Sequence, residues 1–583
     1  MDVRFVLILL SAAFVVSGCG RQSEPTASSQ AAPPAAAMDE WQAFTNRFIE
    51  EFLARRPEFA VDAGRHEFDG QLGDWSAEGI AKEVQALRAA RDEAERFMSD
   101  ALTDEQRFER DYLFAVIDKE LFWLDRARAP FTNPTWYIYK LDPQVYLTRE
   151  YAPLEKRMAA YIDYARAIPR VAEDIRANLR TPMPKSFVER GISGFGGFAA
   201  FFRDDVPKVF EPVKNADLQK QFREANAAAV KAMEGLKSWL ESQRATATDD
   251  FALGEQMFMD MVRLTEGVDM SITELAAAGR ADLERNLAAL REACAQLLPK
   301  APIPRCIDKM TANKPEAGAV EAARAQLVEL KAFLEKNEVV TIPGTEEALV
   351  MEAPPYNRAN FAYINIPGPY EKGMPSTYYV APPDPSWSPA ERAAYIPGKA
   401  DLLYTSVHEV WPGHFLQFLH SNRHPSKLAS LFVGYAFAEG WAHYTEEMMW
   451  EMGLGDGDAE QRVGQLTNAL LRNVRYLSAI GLHAQGMTLE ESEQMFRESA
   501  FADPGNARQQ AARGTYDPAY LNYTLGKLMI RKLRDDWVAR QPGSSGDPRK
   551  LWREFHDRFL SYGGPPIPLV RRQMLPGDTG PLM

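Results

Sequence analysis

Two histidines set six residues apart, with a proline and a glycine between them, constrain this chain more than anything else in it. The segment His408-Glu409-Val410-Trp411-Pro412-Gly413-His414 begins as the zinc-binding His-Glu-x-x-His pattern does, but its second histidine comes two residues late. In the regular pattern, histidines at i and i+4 project from one helical face toward the ion, and the glutamate beside the first serves as general base. At about 100° per residue, a six-residue step leaves the two rings roughly 120° apart around a straight helix. Pro412 has no N–H to offer the His408 carbonyl, and its ring crowds that carbonyl. With Gly413 adding permissive backbone, the segment predicts a helix that bulges or restarts at Trp411-Pro412-Gly413 and returns His414 toward His408. The alternative is a helix that ends at the Pro-Gly pair and leaves His414 on the surface.

Five of the eight histidines fall between His408 and His443, the others being His414, His420 and His424. Even scattering would put roughly half a histidine there. Further on, Phe437-Ala438-Glu439-Gly440-Trp441-Ala442-His443-Tyr444-Thr445-Glu446-Glu447 reads as a helix. Glu439 on that helix can complete a two-His-one-Glu site whose fourth position stays open for water. His443, with Glu446 or Glu447, repeats the same face and suits hydrogen bonds to the ligands or to substrate.

The pairing of His-Glu-x-x-Pro-Gly-His with Glu-Gly-Trp-Ala-x-Tyr resembles a large bacterial family of unknown function (domain of unknown function eight-eight-five), regarded as related to zinc peptidases with a glutamate third ligand. The resemblance runs over nearly the whole mature chain, through Tyr523-Thr524-Leu525-Gly526-Lys527-Leu528 and Phe555-His556. It implies a mainly α, multi-helix metallohydrolase with one Zn²⁺, or another divalent metal, on His408, His414 and Glu439, and Glu409 as general base. Tyr523 matches the family's tyrosine and is the candidate to steady an oxyanion; packing between helices is the alternative. Arg513, just upstream, is placed as the family's arginine and suits capture of a substrate carboxylate, with a helix-terminal salt bridge as the alternative.

The remaining chain supplies the setting. Residues 1–18 read as an export signal whose apolar run, Phe5 to Val16, is too short to span a bilayer. Val16-Ser17-Gly18-Cys19 resembles a lipobox, which implies lipidation of Cys19 after cleavage; an ordinary cleaved signal is the alternative. Gly20 is not the aspartate associated with inner-membrane retention, so the expected anchor site is the periplasmic face of the outer membrane. Residues 19–38, rich in Ser, Ala, Pro and Gln, read as a flexible tether. The body is then 39–583, with two lobes, 39–335 and 336–583, as an option.

Within the body, Ser271-Ile272-Thr273-Glu274 is a capping box, and Leu283, Leu287, Leu290, Cys294 and Leu297 form the stripe of a helix that Pro299 stops. The glycines of Gly191 to Phe202 read as a connection, or as a mobile loop over a cleft. The aromatics around Trp123 and Trp136-Tyr137-Ile138-Tyr139 read as core. Cys294 and Cys306 form a disulfide or stay as buried thiols. Short strands are expected at Val339-Ile342, Ala348-Met351 and Ser376-Val380. They make a small sheet whose edge could grip extended substrate, with Tyr379 as a contact on that edge or as a buried residue.

A net charge of −14 without a compensating basic run argues against nucleic acid as a partner. The expected function is an exported zinc-dependent peptidase or amide hydrolase acting on a peptide or small amide, tied to the membrane only through its lipid anchor. Two alternatives stand beside it: a non-catalytic helical lipoprotein that binds a peptide or envelope partner, and a zinc hydrolase of a non-peptide amide or ester.

Overall fold

In the computed structural model, the described residues are 35–354, 361–383, 387–542 and 546–583, so the signal segment and Cys19 lie outside them. The fold is mainly helical, with one three-stranded mixed sheet. Its strands are β1 (Ala348–Glu352), β2 (Ala362–Asn365) and β3 (Ser376–Val380), in the order β1-β3-β2. β1 runs parallel to β3, pairing Val350 with Tyr378, and β2 runs antiparallel to β3, pairing Tyr363 with Tyr379.

Among the described residues three large hydrophobic clusters make most of the interior, with a small fourth around Ala353, Tyr379 and Ala381. The first helix, Ala35–Arg55, packs through Trp41, Phe48 and Phe52 onto a cluster that also takes in Leu428 and Phe432, directly after the histidine segment. A second cluster, with Tyr161, Tyr164, Phe202 and Phe222, joins the helices Leu154–Asn178, Lys185–Asp204 and Ala216–Gln243. The third and largest encloses the back of the histidine segment and gathers Phe122 with residues from Phe258 to Leu575. Because this core holds Met261, Leu290 and Leu330 together with Val407, Trp441 and Leu470, a division into lobes at 335/336 would cut through one continuous interior.

Several elements follow their expected lines. The helix Ile272–Leu297 opens on the capping box, Ser271 N–H donating to Glu274 Oε2 at 2.8 Å and Glu274 N–H to Ser271 Oγ at 3.3 Å. β1 and β3 fall where the β-branched and aromatic runs lie, and a disulfide joins Cys294 to Cys306. Trp123 and Trp136 are part-buried and Tyr137 is fully buried, but Tyr139 is largely exposed.

Other expectations need correction. Val339-Ile342 is no strand, since its backbone is bonded elsewhere: Val339 N–H to Leu334 O, Val339 O from His556 Nδ1 at 2.7 Å, and Thr341 N–H to Asp557 Oδ1 at 2.7 Å. Gly191–Phe202 is neither loop nor lid but lies inside the helix Lys185–Asp204. Its glycines allow close packing on Leu240 and Ile138, while Phe195 and Phe202 bury fully, so tertiary packing overrides the low helix propensity. Ala35–Met38, read as the end of the tether, belong to the first helix. Tyr379 sits on the central strand β3, 6% exposed and stacked on Tyr363, so the sheet edge facing the cleft is β2, which the sequence reading did not foresee.

Candidate metal centre and cleft

The helix Lys399–Glu409 carries His408 in its last turn and ends immediately after it. The chain then folds tightly: Val410 and Trp411 N–H both turn back to Ser406 O, and Gly413 N–H donates to Val407 O at 2.9 Å. A new helix, His414–Ser421, starts at the second histidine. A β-carbon on Gly413 would run into the His408 carbonyl, so the return path admits glycine alone. The two imidazoles end edge to face, with ring centroids 4.8 Å apart. The Pro-Gly interruption thus supplies the turn that a six-residue spacing requires.

Glu439 comes from the helix Tyr435–Glu451. The buried Trp441 indole donates from Nε1 to Pro412 O at 2.9 Å, which clamps the Glu439 helix onto the bend between the histidines. Glu439 Oε2 lies 3.3 Å from both His408 Nε2 and His414 Nε2. One donor atom from each of the three residues falls within 4.8 Å of the others, the one such group among the described residues.

A further carboxylate fixes the first ring. His408 Nδ1 lies 2.7 Å from Glu446 Oε1, and Arg472 reaches the same carboxylate at 3.1 Å from the helix Ala459–Ala484. Arg472 also lies 3.2 Å from Nδ1, but the shorter contact, with Glu446, assigns the proton to Nδ1, which leaves the Nε2 lone pair facing Glu439 and His414. Burial alone would push the Glu446 carboxyl up, but Arg472 and His408 hold it well below the usual carboxylate range. Glu439 is likewise held down, against burial, by the neighbouring His414 and His408 rings.

Glu409 lines the same cavity, and burial raises its carboxyl above the usual value despite the neighbouring histidines. A carboxylate shifted upward is better matched to taking and returning a proton near neutral pH. Tyr523 closes the opposite side from the helix Asn522–Ala539, its ring roughly parallel to that of His408 at 6.3 Å. This helix crosses the Glu439 helix where Gly440 meets Gly526 backbone to backbone; a β-carbon on either would strike the other chain.

The remaining candidates divide. Arg513 lines the cavity and also pairs with Asp517 at 2.9 Å and donates to Tyr435 Oη at 3.3 Å. His443 stands behind the ligands, fully buried, 3.5 Å from Glu446 Oε2, and burial lowers it to about 4, so it is a neutral ring away from the cavity. Glu447 bonds Arg285. His420 donates to Thr341 O and His424 accepts from Ser426 N–H, so these two histidines serve local structure. The sequence reading missed Arg472 and Arg475; their trace was two arginines three apart on an otherwise apolar helical stretch.

The three candidate ligands, Glu409 and Tyr523 open into one cavity of about 1610 Å³, lined also by β2, by Gly368 and Pro369, and by Arg472, Arg475, Gln510 and Arg513. The donor set fits a divalent cation. Glu439 Oε2 is buried yet accepts no hydrogen bond, and leaving such an atom unsatisfied costs about 1–3 kcal/mol or more for a charged group. Two imidazole nitrogens aimed at a carboxylate oxygen are the ligand types of catalytic zinc sites.

The fold recurs in two solved structures. A candidate lipoprotein of unknown function from Shewanella oneidensis has a TM-score of 0.75 at 24% identity, over 92% of this chain and 99% of its own. A candidate lipoprotein from Colwellia psychrerythraea has a TM-score of 0.77 at 18% identity, over 92% of this chain and 98% of its own. No curated protein matches the chain. Among the described residues no helix is long and apolar enough to cross a membrane. The bacterial protein family of unknown function DUF885 matches residues 57–574, and the chain belongs to that family.

Proposed function

We propose that this protein is an exported, zinc-dependent peptidase or amide hydrolase. The observation that carries the reading is the meeting of His408 Nε2, His414 Nε2 and Glu439 Oε2 at the floor of a wide cleft, with Glu409 beside them. Zn²⁺ held by these three would supply Lewis acidity toward water or a carbonyl oxygen. Glu409 takes a proton from the attacking water and passes it to the leaving amine. Tyr523 donates its hydroxyl toward the carbonyl oxygen as negative charge develops there. Glu446 holds the His408 ring and keeps its proton on Nδ1. The β2 edge offers backbone groups along the cleft to an extended peptide.

The test is metal analysis of the purified protein after zinc loading and desalting, followed by digestion of a peptide library. One zinc per chain with time-dependent cleavage, both lost in His408→Ala, is the expected result. Absence of retained metal would sink the reading and leave a binding protein. We further propose that Cys19 carries the lipid that anchors the protein in the envelope. Mass spectrometry of the mature amino terminus should find an acylated cysteine, and an unmodified terminus elsewhere would reduce the segment to an export signal.

A further inference from the structure

Three arginines face the cleft around Tyr523, and two of them are committed. Arg472 is paired with Glu446, and Arg513 with Asp517. Arg475, between them, lies 5.0 Å over the Tyr523 ring and donates from Nε to the neutral amide oxygen of Gln510 at 2.8 Å. No carboxylate among the described residues lies within salt-bridge distance of it. Burial, with the Arg513 charge next to it, pushes this guanidinium below its usual value. A folded chain that keeps a cation this poorly compensated in a cleft has left room for an anion from outside. Guanidinium is also the group whose planar fork matches a carboxylate.

The spacing indicates which carboxylate. Tyr523 separates Arg475 from the candidate metal site, with His408 and Tyr523 ring centroids 6.3 Å apart and the Arg475 guanidinium carbon 5.0 Å from that of Tyr523. The guanidinium therefore lies within about 11 Å of the His408 ring. An extended chain advances roughly 3.3–3.6 Å per residue. Once contact distances at each end are allowed for, at most about one or two residues fit between a carbonyl at the metal site and a carboxylate on Arg475.

We propose that Arg475, supported by Gln510 and Arg513, binds the free α-carboxylate of a peptide, so that the enzyme releases one or two residues from carboxyl-terminal ends. This rests on the hydrolase reading for its chemistry, but its binding half can be measured without turnover. The cut is an ordinary hydrolysis: water adds across the amide, the C–N bond breaks, and the proton taken by Glu409 goes to the leaving amine.

The experiment uses the zinc-loaded full chain and titrates an N-acetylated dipeptide against its carboxamide by calorimetry. In parallel, a longer peptide in free-acid and amidated forms is digested. The expected result is at least about tenfold tighter binding of the acid, from one charge-assisted bond, with one or two residues released from the free-acid peptide only. The preference should vanish in Arg475→Gln. Equal affinity for acid and amide in the wild type overturns the proposal whether or not any variant folds. Preference retained in a folded Arg475→Gln protein also overturns it, by placing the carboxylate on the metal instead. If the acid preference is present and Arg475-dependent but nothing is cleaved, the anchor stands and the hydrolase reading fails.

Discussion

His408 Nδ1 and Glu446 Oε1 lie 2.7 Å apart in an interior where Glu446 is fully buried, so the carboxylate dictates which imidazole nitrogen faces the cleft. Losing such a partner typically costs a metal site about 10–100-fold in affinity or activity. Glu446→Gln should therefore weaken zinc binding by about that factor while leaving stoichiometry at saturation unchanged. Competition against a chelating dye measures it; unaltered affinity would show that the contact does not tune the ligand.

Glu409→Gln separates proton transfer from coordination. The variant should keep its zinc and lose about 10²–10⁴-fold in turnover. Metal analysis and peptide cleavage on one preparation decide the matter, and loss of zinc would make Glu409 a ligand.

Tyr523→Phe should retain both metal and fold, because the ring, which stays, packs on His408 and Tyr435 at the wall of the cavity. Removing an oxyanion donor costs about 10²–10³-fold in kcat. A kcat within twofold or so of the wild type would assign Tyr523 to packing alone.

A pH effect is expected at His66, which is not one of the candidate metal ligands. Its ring lies between Asp69 Oδ1 at 3.0 Å and Glu371 Oε1 at 3.1 Å and stacks on Tyr151. Burial opposes its charge, but bonds to Asp69 and Glu371 prevail and raise it to about 9. A histidine raised in the folded state gives stability that is fully present below about 6.5 and is lost as pH climbs through about 9. The melting-temperature advantage of wild type over His66→Gln should shrink as pH rises from 6.5 through about 9. An advantage independent of pH would mean that the ring acts only through stacking.

Much of the site was legible because its chemistry is local. The clash of a six-residue spacing with helical geometry, and the Pro-Gly that resolves it, are both written between His408 and His414. Glu439 could be read from its motif, but the clamp from Trp441 to Pro412 depends on a crossing between segments. Arg472 and Arg475 were missed because an arginine on a long helix looks solvated until the partner elements are in place. β2 was missed because Ala362–Asn365 is short and its pairing is set by β3. The helix through Gly191 was misread for the opposite reason, since its glycines mark close packing and not a break.

The contact between Gly440 and Gly526 has a further consequence for altering this protein. Glu439 and Tyr523 are held at their separation by main chain resting on main chain, with no side chain as a spacer. Their spacing is then insensitive to how the surrounding walls are filled. Replacing cleft residues such as Ile364, Gln510 or Arg475 should change which molecules enter while the reacting groups keep their places. A designer seeking new specificity could treat the two helices as a fixed jig and the β2 and arginine walls as interchangeable tooling.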